Sequence, residues 1–201
     1  MVFDPQSGAQ TGAATKTQTH VLIMVASAIV VALLWLLLFR LNQWAFSSFE
    51  VTVFITWVFL PAAIRMLAVM VCDWVGALGL FAGALFTNQT DPTGELTDGL
   101  MLAFLSATGP LVAFWFCTRF LSLPSNLTGL TARQLLVFAT MGAVFNAVPH
   151  NIYFYLSGRM ASPIEGLVPM FFGDLLGTVV VLYAVSFALR LIFKRSANQR
   201  V

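Results

Sequence analysis

The chain has 201 residues, of which 59% are hydrophobic and only 9% are charged, whereas a soluble domain carries about 25% charged residues. This composition predicts an integral membrane protein and argues against a soluble enzyme. The net charge is only +2 and the basic residues are scattered, so the chain lacks the basic stripe that is typical of nucleic-acid binding.

The N-terminal region is polar and lacks the compact basic start of a secretory signal. We predict that residues 1–18 form a disordered cytoplasmic tail. The run at residues 21–39 carries no charge, and because a span needs about 20 apolar residues, we interpret it as a retained transmembrane helix. A single transmembrane domain is then expected over residues 19–194, followed by a cytoplasmic tail over residues 195–201.

Six apolar segments are each predicted to span the membrane, which makes the expected fold an all-α, polytopic helical bundle. The third segment is the shortest, since 15 residues reach only ~22 Å. It is expected either to cross with little tilt or to be re-entrant. The six segments cover residues 21–39, 51–72, 74–88, 100–122, 133–157 and 167–189.

The basic residues predict the orientation. Six spans place most of them on one side, among them Arg119 and Arg133, whereas the connection at residues 89–99 is acidic and has no Lys or Arg. Arg40 and Arg159 lie on the outer side in this topology. We predict a multi-pass protein of the bacterial cytoplasmic (inner) membrane with both termini in the cytoplasm.

An acidic side chain inside the last apolar segment is the strongest indication of a functional site. Asp174 lies seven residues into the run 167–189, where a carboxylate has no water to solvate it, and such residues are functional candidates. Asp174 and His150 are expected ~10 Å below the outer surface, with Asn146 one turn deeper. Asn146 and His150 share a helix face, and Pro149 between them opens the backbone ladder.

These residues predict a polar pocket in the outer half of the bundle, able to bind a small ligand or a proton. The alternative for its amide and hydroxyl side chains is hydrogen bonding between helices. For His150, the alternative is a place in an interfacial aromatic belt. The predicted lining consists of Thr108, Asn146, His150, Asn151 and Asp174.

Arg65 is the second charge inside an apolar segment. It lies 14 residues into the predicted second span, which places it ~10 Å deeper than Asp174. A direct ion pair between Arg65 and Asp174 therefore requires offset or tilted helices. The alternative is that Arg65 extends towards the cytoplasmic headgroups.

No sequence motif indicates an enzyme. The HExxH, GxSxG and Walker patterns are missing, so we predict neither catalytic residues nor a cofactor. Cys72 and Cys117 have no CxxC spacing or neighbouring ligand pair, which leaves no basis for a metal site or a disulfide. The spacing of Gly173 and Gly177 predicts close helix packing rather than ligand binding.

Two stretches resemble MASE1-type bacterial membrane sensor domains. Residues 59–68 (FLPAAIRMLA) with residues 79–85 (GLFAGAL) are similar to the early helices of such domains. Residues 172–180 (FGDLLGTVV) resemble the Gly-Asp-x-x-Gly helix that closes them. The resemblance implies a membrane sensor that signals to an output module, here expected on a separate protein partner.

Two other functions remain open. A chain of about 200 residues in six helices with an outward-facing pocket also resembles the substrate-capturing subunits of energy-coupling-factor vitamin transporters. This resemblance implies a transport subunit. The third possibility is an assembly or scaffold protein whose polar residues serve only packing. All three functions imply contact with membrane lipid and with a separate protein partner.

Overall fold

The computed structural model describes residues 6–52, 55–88, 95–122 and 131–198. These residues form five α-helices, a single 3-10 turn and a small antiparallel sheet. In chain order the elements are α1 (Gln6–Phe46), the 3-10 turn (Ser47–Phe49), β1 (Glu50–Thr52), β2 (Ile55–Thr56), α2 (Pro61–Asn88), α3 (Leu96–Phe120), α4 (Ala132–Leu156) and α5 (Pro163–Asn198).

The predicted all-α class is confirmed, and five helices are long and apolar enough to cross a membrane. The count is five rather than the predicted six, because the second and third predicted segments both belong to α2. Asp73, which separates them, has the non-helical dihedrals φ 51° and ψ −132°.

Helix α2 folds back on itself at Asp73. The Trp35 ring centre lies 5.5 Å from the guanidinium carbon of Arg65, and the Trp35 Nε1 donates a hydrogen bond to Thr87 Oγ1 at 3.2 Å. In a straight helix, Arg65 and Thr87 would be ~33 Å apart. A Cβ at Gly76 would also overlap the backbone of Ala68. The two arms of α2, residues 61–72 and 74–88, therefore pack side by side.

Successive passes of the chain alternate in direction. Helix α1 runs parallel to the second arm of α2, since Gly79 packs against Ala28 and Gly83 against Trp35. The pairs α3–α4 and α4–α5 are antiparallel, which places the start of α1 and the end of α5 at the same end of the bundle. The contacts that define the antiparallel pairs are Ser106–His150, Gly109–Phe145, Asn151–Met170 and Asn146–Asp174.

The two ends of the bundle differ in structure. One end, called the sheet end, carries β1, β2, the start of α3 and the connection between α4 and α5. The other, called the kink end, carries Asp73, the end of α3 and the start of α4.

The predicted second span begins ten residues too early. Residues 51–60 were predicted to be helical, but Glu50 pairs with Thr56 in the sheet, and α2 begins only at Pro61. Val51 and Thr52 are β-branched and favour extended backbone. Pro61 has the fixed φ and missing N–H that suit the first helical position. Residues 53–54 lie outside the described structure.

The segment between β2 and α2 lies directly on α5. The backbone N–H of Phe59 donates to the Gly173 carbonyl oxygen at 2.9 Å. A Cβ at Gly173 would overlap the Thr56 carbonyl oxygen, and one at Gly177 would overlap that of Phe59. The predicted packing role of these glycines is confirmed, although their partner is an extended segment rather than another helix. This close approach places Asp174 beside α2.

The N-terminal region is helical further towards its start than predicted. Residues 6–18 are part of α1, whereas we expected a disordered tail there, and residues 195–198, in the predicted C-terminal tail, continue α5. Adding residues to an existing helix needs no new nucleus, so a long apolar helix extends easily into flanking polar sequence. Residues 1–5 and 199–201 lie outside the described structure.

Candidate functional site

Asp174 of α5 joins three helices inside the bundle. Its side chain is buried, and its Oδ2 accepts a hydrogen bond from Arg65 Nη1 at 3.0 Å and another from Asn146 Nδ2 at 2.7 Å. Arg65 belongs to α2 and Asn146 to α4. The carboxylate therefore has both a counter-charge and a neutral donor, which are the partners that a buried charge requires.

Arg65 is enclosed by aromatic rings and does not extend towards the headgroups. Its guanidinium carbon lies 4.9 Å from the ring centre of Phe59 and 5.5 Å from that of Trp35, within the range of cation–π attraction. The predicted ~10 Å depth offset from Asp174 is wrong because α2 starts at Pro61 and because the segment before it already runs along α5. Arg65 and Asp174 consequently meet directly.

His150 connects α4 to α3. Its Nδ1 lies 2.8 Å from the Asn146 carbonyl oxygen and its Nε2 lies 3.3 Å from Ser106 Oγ. Because a carbonyl only accepts, Nδ1 carries the proton, and in the neutral ring Nε2 accepts from the Ser106 hydroxyl. His150 is thus bonded to the backbone of Asn146, whose side chain bonds to Asp174. The imidazole does not bond to Asp174 itself.

Two of the predicted lining residues lie away from Asp174. The Thr108 hydroxyl donates to the Phe104 carbonyl oxygen at 2.8 Å on its own helix. Asn151 is buried, and its Nδ2 donates to the Ala147 carbonyl oxygen at 2.8 Å. Its Oδ1 lies against Gly166 and has no hydrogen-bond partner within the part of the chain that the structure describes. Neither side chain bonds to the Asp174 group.

Three residues of the site were not predicted from sequence. Ser106 carries the same hydroxyl group as the predicted Thr108 and lies on the same helix, so the sequence alone does not distinguish the two. The sequence did not identify Trp35 and Phe59 as site residues, because aromatic residues are common in membrane helices. These two rings reach Arg65 only because α2 folds back on itself and because the segment before α2 is extended. Only a prediction of those two features would have identified them.

A cavity, called the sheet-side cavity, adjoins this group. The centre of a water molecule can occupy about 40 Å³ of it, and one water needs about 10–15 Å³ by that measure. The cavity therefore suits about three waters. Its lining is formed by Trp35, Phe39, Phe59, Arg65, Thr87, Asn88, Leu102, Ser106, Asn146, His150, Phe154 and Met170.

Unpaired polar atoms belong to residues that line the cavity. Arg65 Nε and Asn146 Oδ1 are buried and lack a hydrogen-bond partner among the described residues. Buried polar atoms of this kind are ordinarily satisfied by ordered water. The donor of Arg65 and the acceptor of Asn146 are together suited to a water-sized polar guest.

The described residues provide no metal-binding cluster. Within them, no group of three or more His, Cys, Asp or Glu side chains could hold a metal ion. Cys72 is partly buried and Cys117 is buried, and both are free thiols. The chemistry of the site therefore rests on Asp174, Arg65, Asn146 and His150.

Comparison with models of protein families, with curated proteins and with solved structures finds no match. The resemblance to MASE1-type sensor domains stays a prediction from the sequence.

Proposed function

We propose that this protein is a non-enzymatic, multi-pass protein of the bacterial inner membrane that binds a proton or a small ligand at Asp174 and signals to a separate protein partner. Both termini are cytoplasmic in this proposal, so the sheet end faces outward. The acidic residues Glu95 and Asp98 lie at the sheet end, whereas Arg119 and Arg133 lie at the kink end, in line with the excess of basic residues on cytoplasmic sides.

The observation that carries the proposal is the sharing of one carboxylate oxygen by two other helices. Asp174 Oδ2 accepts hydrogen bonds from Arg65 of α2 and from Asn146 of α4. Neutralising Asp174 would leave Arg65 without its counter-charge and would weaken both contacts. A proton bound at this atom therefore changes the contacts among α2, α4 and α5 together, which is what a signalling site requires.

The size of the cavity favours a proton or a water-sized ligand over a vitamin. Sites for drug-sized ligands have volumes of about 300–1,000 Å³, against about 40 Å³ here. This difference ranks the transport subunit below the sensor. The scaffold function differs from both because it makes no use of the charge of Asp174.

Trp35 provides a direct test, since its ring contacts Arg65 and it is 2% exposed. A variant in which Trp44, Trp57, Trp74 and Trp115 are replaced by Phe would report Trp35 fluorescence alone. We expect the purified protein in detergent to show a fluorescence change on acidification, and we expect Asp174→Asn to abolish it.

Two further variants decide which group binds the proton. His150→Gln should retain the transition if Asp174 is the acceptor, and Asn151→Ala should also retain it, because Asn151 does not bond to Asp174. A transition that persists in Asp174→Asn but disappears in His150→Gln would assign the proton to the imidazole instead. A transition unchanged in every variant would remove the support for a titrating site.

A further inference from the structure

We propose that the proton reaches Asp174 from the sheet end only, which makes this protein a sensor of acidity on that side of the membrane. The inference rests on the proposed function, and it adds the ligand, a proton delivered by water, and the side from which it comes. It is drawn from two cavities and an apolar cluster that follow one another along the bundle.

The sheet-side cavity connects Arg65 and Asn146, the two hydrogen-bond partners of Asp174, with the sheet end. Most of its lining is buried, but Phe39, Phe59 and Asn88 are partly exposed. Asn88 is the last residue of α2, at the sheet end. Water that enters beside Asn88 can therefore reach both partners of Asp174.

A second cavity, called the kink-side cavity, lies on the opposite side of the ion pair. The centre of a water molecule can occupy about 10 Å³ of it, enough for about one water. It is lined by Ala62, Arg65, Met66, Pro110, Ala139, Gly142, Ala143, Asp174 and Thr178.

The helix positions show how the two cavities are arranged. On α4 the lining shifts from His150 in the sheet-side cavity to Gly142 in the kink-side cavity, which is ~12 Å nearer the kink end. On α5 it shifts in the same direction, from Met170 to Thr178. Arg65 lines both cavities, so its ion pair with Asp174 separates them.

An apolar cluster, called the apolar seal, closes the path beyond the kink-side cavity. Its core has exposures of 6% or less, and none of its side chains carries a charge. Met66 belongs to both the seal and the cavity wall. Hydrophobic constrictions exclude water and ions, so among the described residues of α2, α3 and α4 the seal blocks a polar route from Asp174 to the kink end. The seal consists of Met66, Met70, Ala113, Cys117 and Phe138.

Few titratable groups could interfere with Asp174. Arg65 of α2 bonds directly to Asp174, and among the described residues that line the two cavities beside this ion pair, His150 of α4 is the other titratable group. The groups that α1, α3 and the segment before α2 contribute to the sheet-side cavity are uncharged, Trp35, Ser106 and Phe59 among them. The response to acid is therefore assigned to Asp174, with His150 as the group to be excluded.

The test is a sided acid jump on proteoliposomes that contain the full chain with Trp35 as its only tryptophan. Vesicles captured through a C-terminal affinity tag expose the kink end, and uncaptured vesicles expose the sheet end. We expect a fluorescence change when acid is added to uncaptured vesicles. We expect none when acid is added to captured vesicles before the internal pH has changed.

A variant of the seal provides the positive control. Phe138→Ser places a hydroxyl in the seal and should allow a response from the kink end as well. The matched control is Leu136→Ser, on the same helix but 58% exposed, which should retain the one-sided response. If Phe138→Ser does not fold, the wild-type comparison of the two vesicle populations still decides the question.

The outcomes separate this inference from the proposed function. Equal responses from both sides would overturn one-sided access but would leave proton binding at Asp174 intact. A response from the kink end alone would have the same two consequences. Loss of the response from both sides, together with no acid transition in detergent, would overturn both.

Discussion

At the scale of single residues, the Asp174 carboxylate is stabilised inside the bundle by one charged donor, Arg65, and one neutral donor, Asn146. The carboxylate was identified from its position in an apolar run, because charges inside a membrane need partners. Asn146 was found from its spacing to His150. The Arg65–Asp174 pair was not predicted as a direct contact, because its depth depended on where α2 begins.

The buried amides of α4 give a test at the same scale. Asn146→Ala removes one of the donors to Asp174 and should shift the acid transition of Trp35 to higher pH, because the ionised carboxylate loses stabilisation. A hydrogen bond to a charged group contributes about 1.5–3 kcal/mol, so we expect a shift of about one to two pH units. The measurement is a fluorescence titration.

Asn151→Ala is the matched control for this titration. Both amides are 1% exposed, but Asn151 donates to the Ala147 carbonyl oxygen and to Met170 Sδ rather than to Asp174. The pH midpoint of the Trp35 fluorescence transition in Asn151→Ala should remain that of the wild type. Equal shifts in both variants would indicate a general packing effect and not a specific bond.

At the scale of elements, the apolar runs predicted most helices, since length and hydropathy define a span. The errors lie where tertiary contacts decide local structure. Residues 51–60 are apolar enough for a helix, yet Thr52 pairs with Ile55 in the sheet. The backbone of Thr56 packs on Gly173 and that of Phe59 on Gly177. The fold-back at Asp73 has no turn signal such as Gly or Pro at that position.

Asp73 should be a point of backbone strain. A non-glycine residue with φ 51° and ψ −132° occupies a sparsely populated region that costs about 1–3 kcal/mol. Asp73→Gly should therefore raise the free energy of unfolding by about 1 kcal/mol, whereas Asp73→Ala should not. Unfolding in mixed micelles, followed by circular dichroism, measures both. Destabilisation by glycine would mean that the aspartate side chain is needed there.

The glycines of α5 should tolerate no side chain. Gly177→Ala forces a methyl group against the Phe59 backbone and should cost about 1–3 kcal/mol or more, lowering the yield of folded protein in detergent. In Gly99→Ala the nearest atom would lie 3.8 Å away, so α3 should be stabilised by up to about 1 kcal/mol. A neutral Gly177→Ala would contradict the packing of this segment on α5.

At the scale of the whole molecule, the alternating passes place the start of α1 and the end of α5 at the same end of the bundle. The prediction of six spans and the structure with five helices agree on this point because α2 is folded at Asp73. We therefore expect reporter fusions at the N-terminus and at the C-terminus to show the same compartment, and a reporter inserted near Ser162 to show the opposite one. Termini on opposite sides would mean that α2 crosses once as a straight helix.

A double-mutant cycle can measure the coupling between Arg65 and Asp174 inside the bundle. Removing one partner of a buried pair costs about 3–5 kcal/mol, whereas replacing both with apolar residues is often neutral. Arg65→Met and Asp174→Leu should each lower the free energy of unfolding by about that amount. The double variant should be close to the wild type in stability while losing the acid response of Trp35. Additive losses in the double variant would contradict a direct pair inside the bundle.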